Sequence, residues 1–178
     1  MKKEYDEYLC RTYPKLYAQR HMSMQQTCMC WGFDVGDGWF NIINGLSMAI
    51  QSHIAHNTRE RWRCRKEKRK FNAMTREEQL KNDWMARVIP ERVHQVVVTQ
   101  VKEKFGTLRF YYNGGDDAIR NYVQMAECMT YVTCENCGAP GKIGGQGWIS
   151  VKCSKCSGDD IDEFDMPEPA ISEEDLPE

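Results

Sequence analysis

Four cysteines, Cys134, Cys137, Cys153 and Cys156, fall in the pattern C-x2-C-x15-C-x2-C within "CENCGAPGKIGGQGWISVKCSKC". Two thiolates on one tight turn can take two corners of a tetrahedron, and a second such turn completes it around one ion. The spacing therefore predicts one structural zinc site, with Zn2+ held by these four cysteines. With cysteine at all four positions, no coordination site is left open for a catalytic water. The rival chemistry, a redox-active C-x-x-C pair, needs the motif at a helix start in a βαβ setting, and two matched pairs do not suit it. A module this small cannot build its own core, and a structural zinc supplies on the order of 10 kcal/mol of folding free energy. Gly138, directly after the first pair, lets backbone amides turn toward the sulfurs. Ile143 and Trp148, in the short hairpin expected between the pairs, are expected to cover the site.

Two further stretches carry residues suited to ligand binding. "CMCWGFDVGDGWFNI" gathers Trp31, Phe33, Trp39 and Phe40 around Asp34 and Asp37. Such rings beside glycines can stack on a base, and the carboxylates can hold a ribose hydroxyl or an exocyclic amine. The alternative is a loop that anchors itself in the core and is capped by its aspartates. "QVKEKFGTLRFYY" sets Lys102, Lys104 and Arg109 beside Phe105 and Tyr111, a combination suited to phosphates and bases, or else a hairpin with a solvated polar face. Between Arg59 and Lys70 eight basic residues stand against two acidic ones. That run can lie along a phosphate backbone, or be a solvated arm paired with Glu60 and Glu67.

Enzymatic signatures are missing. The chain has no nucleophile elbow, P-loop, H-E-x-x-H or dinucleotide fingerprint, and His21, His53, His56 and His94 stand in no recognisable constellation. A binding protein without catalytic activity is expected. Cys10, Cys28, Cys30, Cys64 and Cys128 are scattered, and Cys28 and Cys30 with His53 and His56 lack the regular spacing of a second metal site.

These residues need elements to position them. Residues 3–20 read as helix interrupted near Pro14. Ile42, Ile43, Leu46, Ala49, Ile50 and Ile54 recur at helical spacing, which predicts a core helix weakened at Gly45. Residues 57–87 change character to a basic helical segment with a capping box at Thr75 and Glu78, closed by Pro90. "HQVVVTQVKEKFGTLRFYYNGG" switches to strand chemistry with a turn at Gly106. A helix capped by Asp116 follows, with Ile119, Tyr122, Val123, Ala126 and Met129 inward.

The totals suit a soluble globular protein: 178 residues, 41% hydrophobic and 28% charged. The net charge of −2 hides an asymmetry. Residues 158–178 hold ten acidic and no basic side chains and read as an acidic disordered tail; the body before it has 24 basic against 16 acidic, a balance of +8 that attracts polyanions. The absence of a long apolar run argues against a membrane span, and the absence of a secretory signal points to a reducing cytoplasm.

Three segments, "TCMCWGFDVGDGWFNII", "QVKEKFGTLRFYYNGG" and "CENCGAPGK…GW", resemble a group of small zinc-knuckle proteins encoded by bacteriophages and prophages. The matches are Cys30–Phe33, Gly36–Trp39, Val101–Tyr111 and Cys134–Gly138. The resemblance implies a genomic setting, host cytoplasm, and an accessory role against host defence.

The reading is an α+β domain over residues 1–130 with an antiparallel hairpin-based sheet and packed helices, a four-cysteine zinc knuckle over 131–157, and the tail. The expected ligand is nucleotide-like, held by the aromatic loop and the Lys/Arg hairpin, so as to sequester a host immune signal. The alternatives are nucleic acid gripped by the zinc module and basic helix, or inhibition of a host defence enzyme. Self-association into a homo-oligomer is compatible with each.

Overall fold

The β-branched run at 96–101 becomes β2 (His94–Lys104), the central strand, and the alternating residues after it become β3 (Thr107–Gly115). The computed structural model describes residues 1–86, 88–145 and 148–158; of the acidic tail only Gly158 lies within them. The two strands pair antiparallel through Val101↔Phe110, Lys102↔Arg109 and Lys104↔Thr107. An irregularity between Val98 and Gln100 shifts side-chain parity, so Val96, Val98 and Val101 all reach the core. A third strand, β1 (Phe33–Asp34), runs parallel to β2 with Phe33 opposite Val101 and Asp34 opposite Lys102. The fold is α+β as the sequence predicts, but this sheet is mixed, not purely antiparallel, because the aromatic loop lies along β2.

β3 has its outer edge covered. Leu108 N–H donates to Thr130 Oγ1 at 3.1 Å, and Phe110 N–H to Glu127 Oε1 at 3.0 Å. Both acceptors sit on α4 (Asp117–Thr130), so the unpaired donors of an edge strand are satisfied by helix side chains. Asp116 caps α4 by accepting from Ile119 N–H at 3.1 Å. The helix buries Ile119, Val123 and Ala126. Met129, expected inward, is instead half exposed, and Thr130 holds the inward position because its hydroxyl serves β3.

The core helix and the basic segment are one element. α2 (Phe40–Asn72) runs 33 residues without a break, about 50 Å. The charge change at 57 alters which faces are wet but not helix propensity, since Arg, Lys and Glu are good helix formers. Its first half buries Ile43, Leu46 and Ile50, while beyond residue 57 only Cys64 is fully buried. A β-carbon at Gly45 would meet nothing within 4 Å. Gly45→Ala should therefore stabilise the protein by about 0.5–1 kcal/mol in denaturant melts.

α3 (Arg76–Lys81) opens on the predicted capping box: Glu78 N–H donates to Thr75 Oγ1, and Thr75 N–H to Glu78 Oε2 at 2.8 Å. It is shorter than the helix expected there, and a single 3-10 turn (Asp83–Met85) follows. α1 (Lys3–Thr12) ends before Pro14, and the turns beyond it bury Leu16 and Tyr17. Val98 N–H donates to Leu16 O at 2.8 Å, which ties that segment to the sheet. Among the described residues no helix is long and apolar enough to cross a membrane.

Candidate metal centre

The first cysteine pair leaves the end of α4 on a tight turn. Gly138 N–H donates to Cys134 O at 2.8 Å and Cys134 N–H to Ala139 O at 2.7 Å. Gly138 sits at φ +78°, a conformation that suits glycine. The chain then forms a hairpin from β4 (Lys142–Gly144) and β5 (Ser150–Lys152). The second pair lies at the start of α5 (Ser154–Ser157), where the amides of Cys156 and Ser157 both donate to Cys153 O at 3.0 Å. Val151 is wholly buried, and its carbonyl accepts from Glu135 N–H at 3.0 Å. Ile143 and Trp148, expected to cover the sulfurs, are largely solvent-exposed; Val151 is the apolar residue the hairpin buries.

These turns bring the four Sγ atoms within 4.8 Å of one another, with Cys137 and Cys153 at 3.5 Å. Sulfurs about 2.3 Å from a central ion at tetrahedral corners stand about 3.8 Å apart, so the donor set fits one tetrahedral metal. Among the described residues this is the only such cluster of three or more potential ligands. Cys134 and Cys153 are buried, Cys156 is half-buried and Cys137 is exposed. Burial pushes the Cys134 thiol up, but N–H donors from Cys153, Cys137 and Asn136 outweigh it and bring it down to about 7. Hydrogen bonding to Cys153 and Cys137 pushes Cys156 up to about 12. Four thiolates this close would repel one another unless a cation lay between them, so the donor set suits a metal ion.

The glycines of the aromatic loop form a socket for the first turn of this centre. Gly36 N–H donates to Glu135 Oε1 at 2.9 Å, Gly38 N–H to Glu135 O at 2.7 Å, and Trp39 Nε1–H to Thr133 O at 2.9 Å. A β-carbon at Gly38 would stand 2.7 Å from Glu135 O and nearer still to Cys134 O and Gly138 N. The metal module is therefore seated on the α+β body through backbone-to-backbone contact that only glycine permits. Burial raises the Glu135 carboxyl above its ordinary range; the Gly36 amide opposes that and Glu103 adds to it.

The other predicted ligand residues are spread over several places. Phe33 and Trp39 are core side chains, with Phe33 edge-on to Tyr17, and neither offers a ring to solvent. Asp37 is engaged by Lys2, through its backbone N–H at 2.6 Å and Nζ at 3.2 Å. Trp31 is 68% exposed. Asp34, Lys102 and Arg109 form one row across the three strands on the face away from the core. Lys102 Nζ lies 5.5 Å from the Tyr111 ring, while Arg109 Nη1 donates to Thr107 Oγ1 and Leu108 O. Lys104 and Phe105 sit apart from that row at the hairpin tip, Nζ 5.3 Å from the ring.

No family model, curated protein or solved structure matches the chain.

Sequence reasoning missed Gly36, Gly38 and Glu135 as the residues that seat the centre. Their signal was the two glycines flanking Asp37, small residues at the spacing needed for close backbone approach, which reads equally well as a flexible loop. His53, weighed for a second metal, instead bonds Asp116 at 2.8 Å.

Proposed function

We propose that this is a zinc-stabilised nucleic-acid-binding protein without catalytic activity, which grips the phosphate backbone with the outward face of the second half of α2. The observation that carries it is a run of cations with no acidic partner among the described residues. Arg59, Arg65, Lys66, Arg69 and Lys70 are exposed and make no ion pair among the described residues. They project opposite the side that holds buried Cys64 and half-buried Phe71. Arg63 is taken up by Glu60 at 2.7 Å, and Arg61 donates to Pro90 O. Trp62, 65% exposed, sits in the middle of this stripe with Lys66 Nζ 5.1 Å from its ring. Cations flanking an open ring are what a phosphate chain with accessible bases favours.

Zinc is the ion this reading assigns to the thiolate centre, since four sulfur donors at tetrahedral distances favour it over harder cations. Its part is structural, and a reducing cytoplasm keeps such thiolates available. The nucleotide-like ligand expected at the aromatic loop has less support, because Phe33, Trp39, Gly36 and Gly38 are occupied in packing. In the phage setting that the sequence resemblance implies, the polyanion would be host or phage nucleic acid.

The double variant Arg65→Glu/Arg69→Glu tests this. Fluorescence anisotropy with labelled 20-mers should give binding that weakens steeply with salt, and the variant should lose about tenfold or more with a shallower salt dependence. Binding of the variant equal to wild type, or no salt-dependent binding at all, refutes the proposal.

A further inference from the structure

A separate surface lies at the other end of the sheet. Asn57 on α2 bonds Val93 N–H and Glu91 O beside the start of β2, whereas the β2–β3 turn is eleven residues further on, roughly 35 Å away. That turn is Phe105–Gly106, with φ +55° and +78°. Two successive positive φ values make a type I′ turn, whose first position takes Asn, Asp or Gly with least strain. Phe105 is the only non-glycine with positive φ among the described residues. A bulky residue held there is strained, and such strain gathers at ligand-binding sites. Burial does not account for it, since the ring is 66% exposed.

The turn packs against the metal module. A β-carbon at Gly106 would touch Ile149 Cγ2 at 3.3 Å and Ser150 Cα at 3.4 Å. Glu103 Oε1 accepts from Gly106 N–H at 2.5 Å and holds the turn in shape. On the module's side of this contact stands Trp148, 76% exposed. Between them lies an open cavity of about 360 Å³ bordered by Glu103, Lys104, Phe105, Trp148 and Ile149. Two exposed rings, an aliphatic wall and one lysine, with the Glu103 carboxylate engaged by Gly106 N–H, suit a flat ring that carries a negative charge.

We propose that this slot binds a nucleobase bearing a phosphate, the base lying against Phe105 and Trp148 and the phosphate meeting Lys104. The metal module then supplies one wall of a recognition site as well as folding energy. This site does not depend on the α2 reading. The base can come from a free nucleotide or from an unpaired position of a strand, and both share this chemistry.

The test uses the zinc-loaded full chain in the Arg65→Glu/Arg69→Glu background, so that the α2 face does not contribute. Calorimetric titration with 5′-AMP and with a six-residue oligodeoxyadenylate separates the sources: saturable binding of AMP identifies the free nucleotide, and binding of the oligomer alone identifies an unpaired strand. Phe105→Asn should weaken the active probe about tenfold or more while the melting temperature holds or rises, because Asn suits the turn. Trp148→Ala should give the same loss with no change in melting. Lack of binding by both probes at millimolar concentration, unchanged binding in the two variants, or a melting temperature that falls by several degrees in Phe105→Asn would overturn the proposal. The last outcome would make the ring a packing residue.

Discussion

Stripping the metal with a tight chelator is expected to unfold residues 131–158 and to lower the melting temperature of the remainder by roughly 10 °C or more. The reason is magnitude. A structural zinc of this type is worth on the order of 10 kcal/mol, comparable with the whole stability of about 5–15 kcal/mol that a domain possesses. The module has little else: Val151 is its one fully buried aliphatic side chain, and Ile143 and Trp148 face solvent. The loss should spread, because Trp39 Nε1–H, Gly36 N–H and Gly38 N–H all donate to the module, and each would be left without its acceptor. Elemental analysis should find one zinc per chain, and Cys134→Ser or Cys153→Ser should mimic the chelator. Cys128→Ser, at an exposed cysteine outside the cluster, should not. If near-ultraviolet dichroism and melting are the same with and without chelator, the thiolate centre has no structural part.

Gly38→Ala is the second large effect. One methyl group is added, yet the site has no room for it: the new carbon would overlap Cys134 O, Gly138 N and Glu135 O together. All three are backbone atoms in the turn that holds two metal ligands, so relief requires the socket and the module to separate. A cost of about 3 kcal/mol or more is expected, with faster release of zinc to a colorimetric chelator. Gly45→Ala makes the same chemical change in an open helical position and should move stability the other way, which controls for generic effects of the substitution. An alanine at 38 that melts like wild type and holds its metal as long would mean that the body and the module are not joined there.

How far the sequence led depended on whether a feature was local. The metal ligands were legible because two short turns with fixed C-x2-C spacing dictate their own geometry. The β2–β3 turn was legible because Gly106 and the alternation around it are local signals. The length of α2 was not, since the charge change at Thr58–Arg59 resembles a boundary while the backbone has no reason to stop. The parity shift between Val98 and Gln100 and the short parallel strand at Phe33–Asp34 also escaped, being tertiary choices. The aromatic loop stayed open between ligand binding and core anchoring for the same reason. Trp39 and Phe33 beside glycines suit stacking on a ligand and packing in a core equally well, and only the position of Glu135, 99 residues from Gly36, decides between them.

That separation bears on biosynthesis. The residues that close the socket emerge from the ribosome nearly a hundred positions after the socket itself, so for most of translation Gly36 and Gly38 have nothing to receive. Closure of the socket is therefore expected to wait until Thr133 and Glu135 have been made, and capture of a metal, which needs both cysteine pairs, to come after it. A nascent chain that stalls short of Cys153 should stay open to proteolysis at Val35–Trp39.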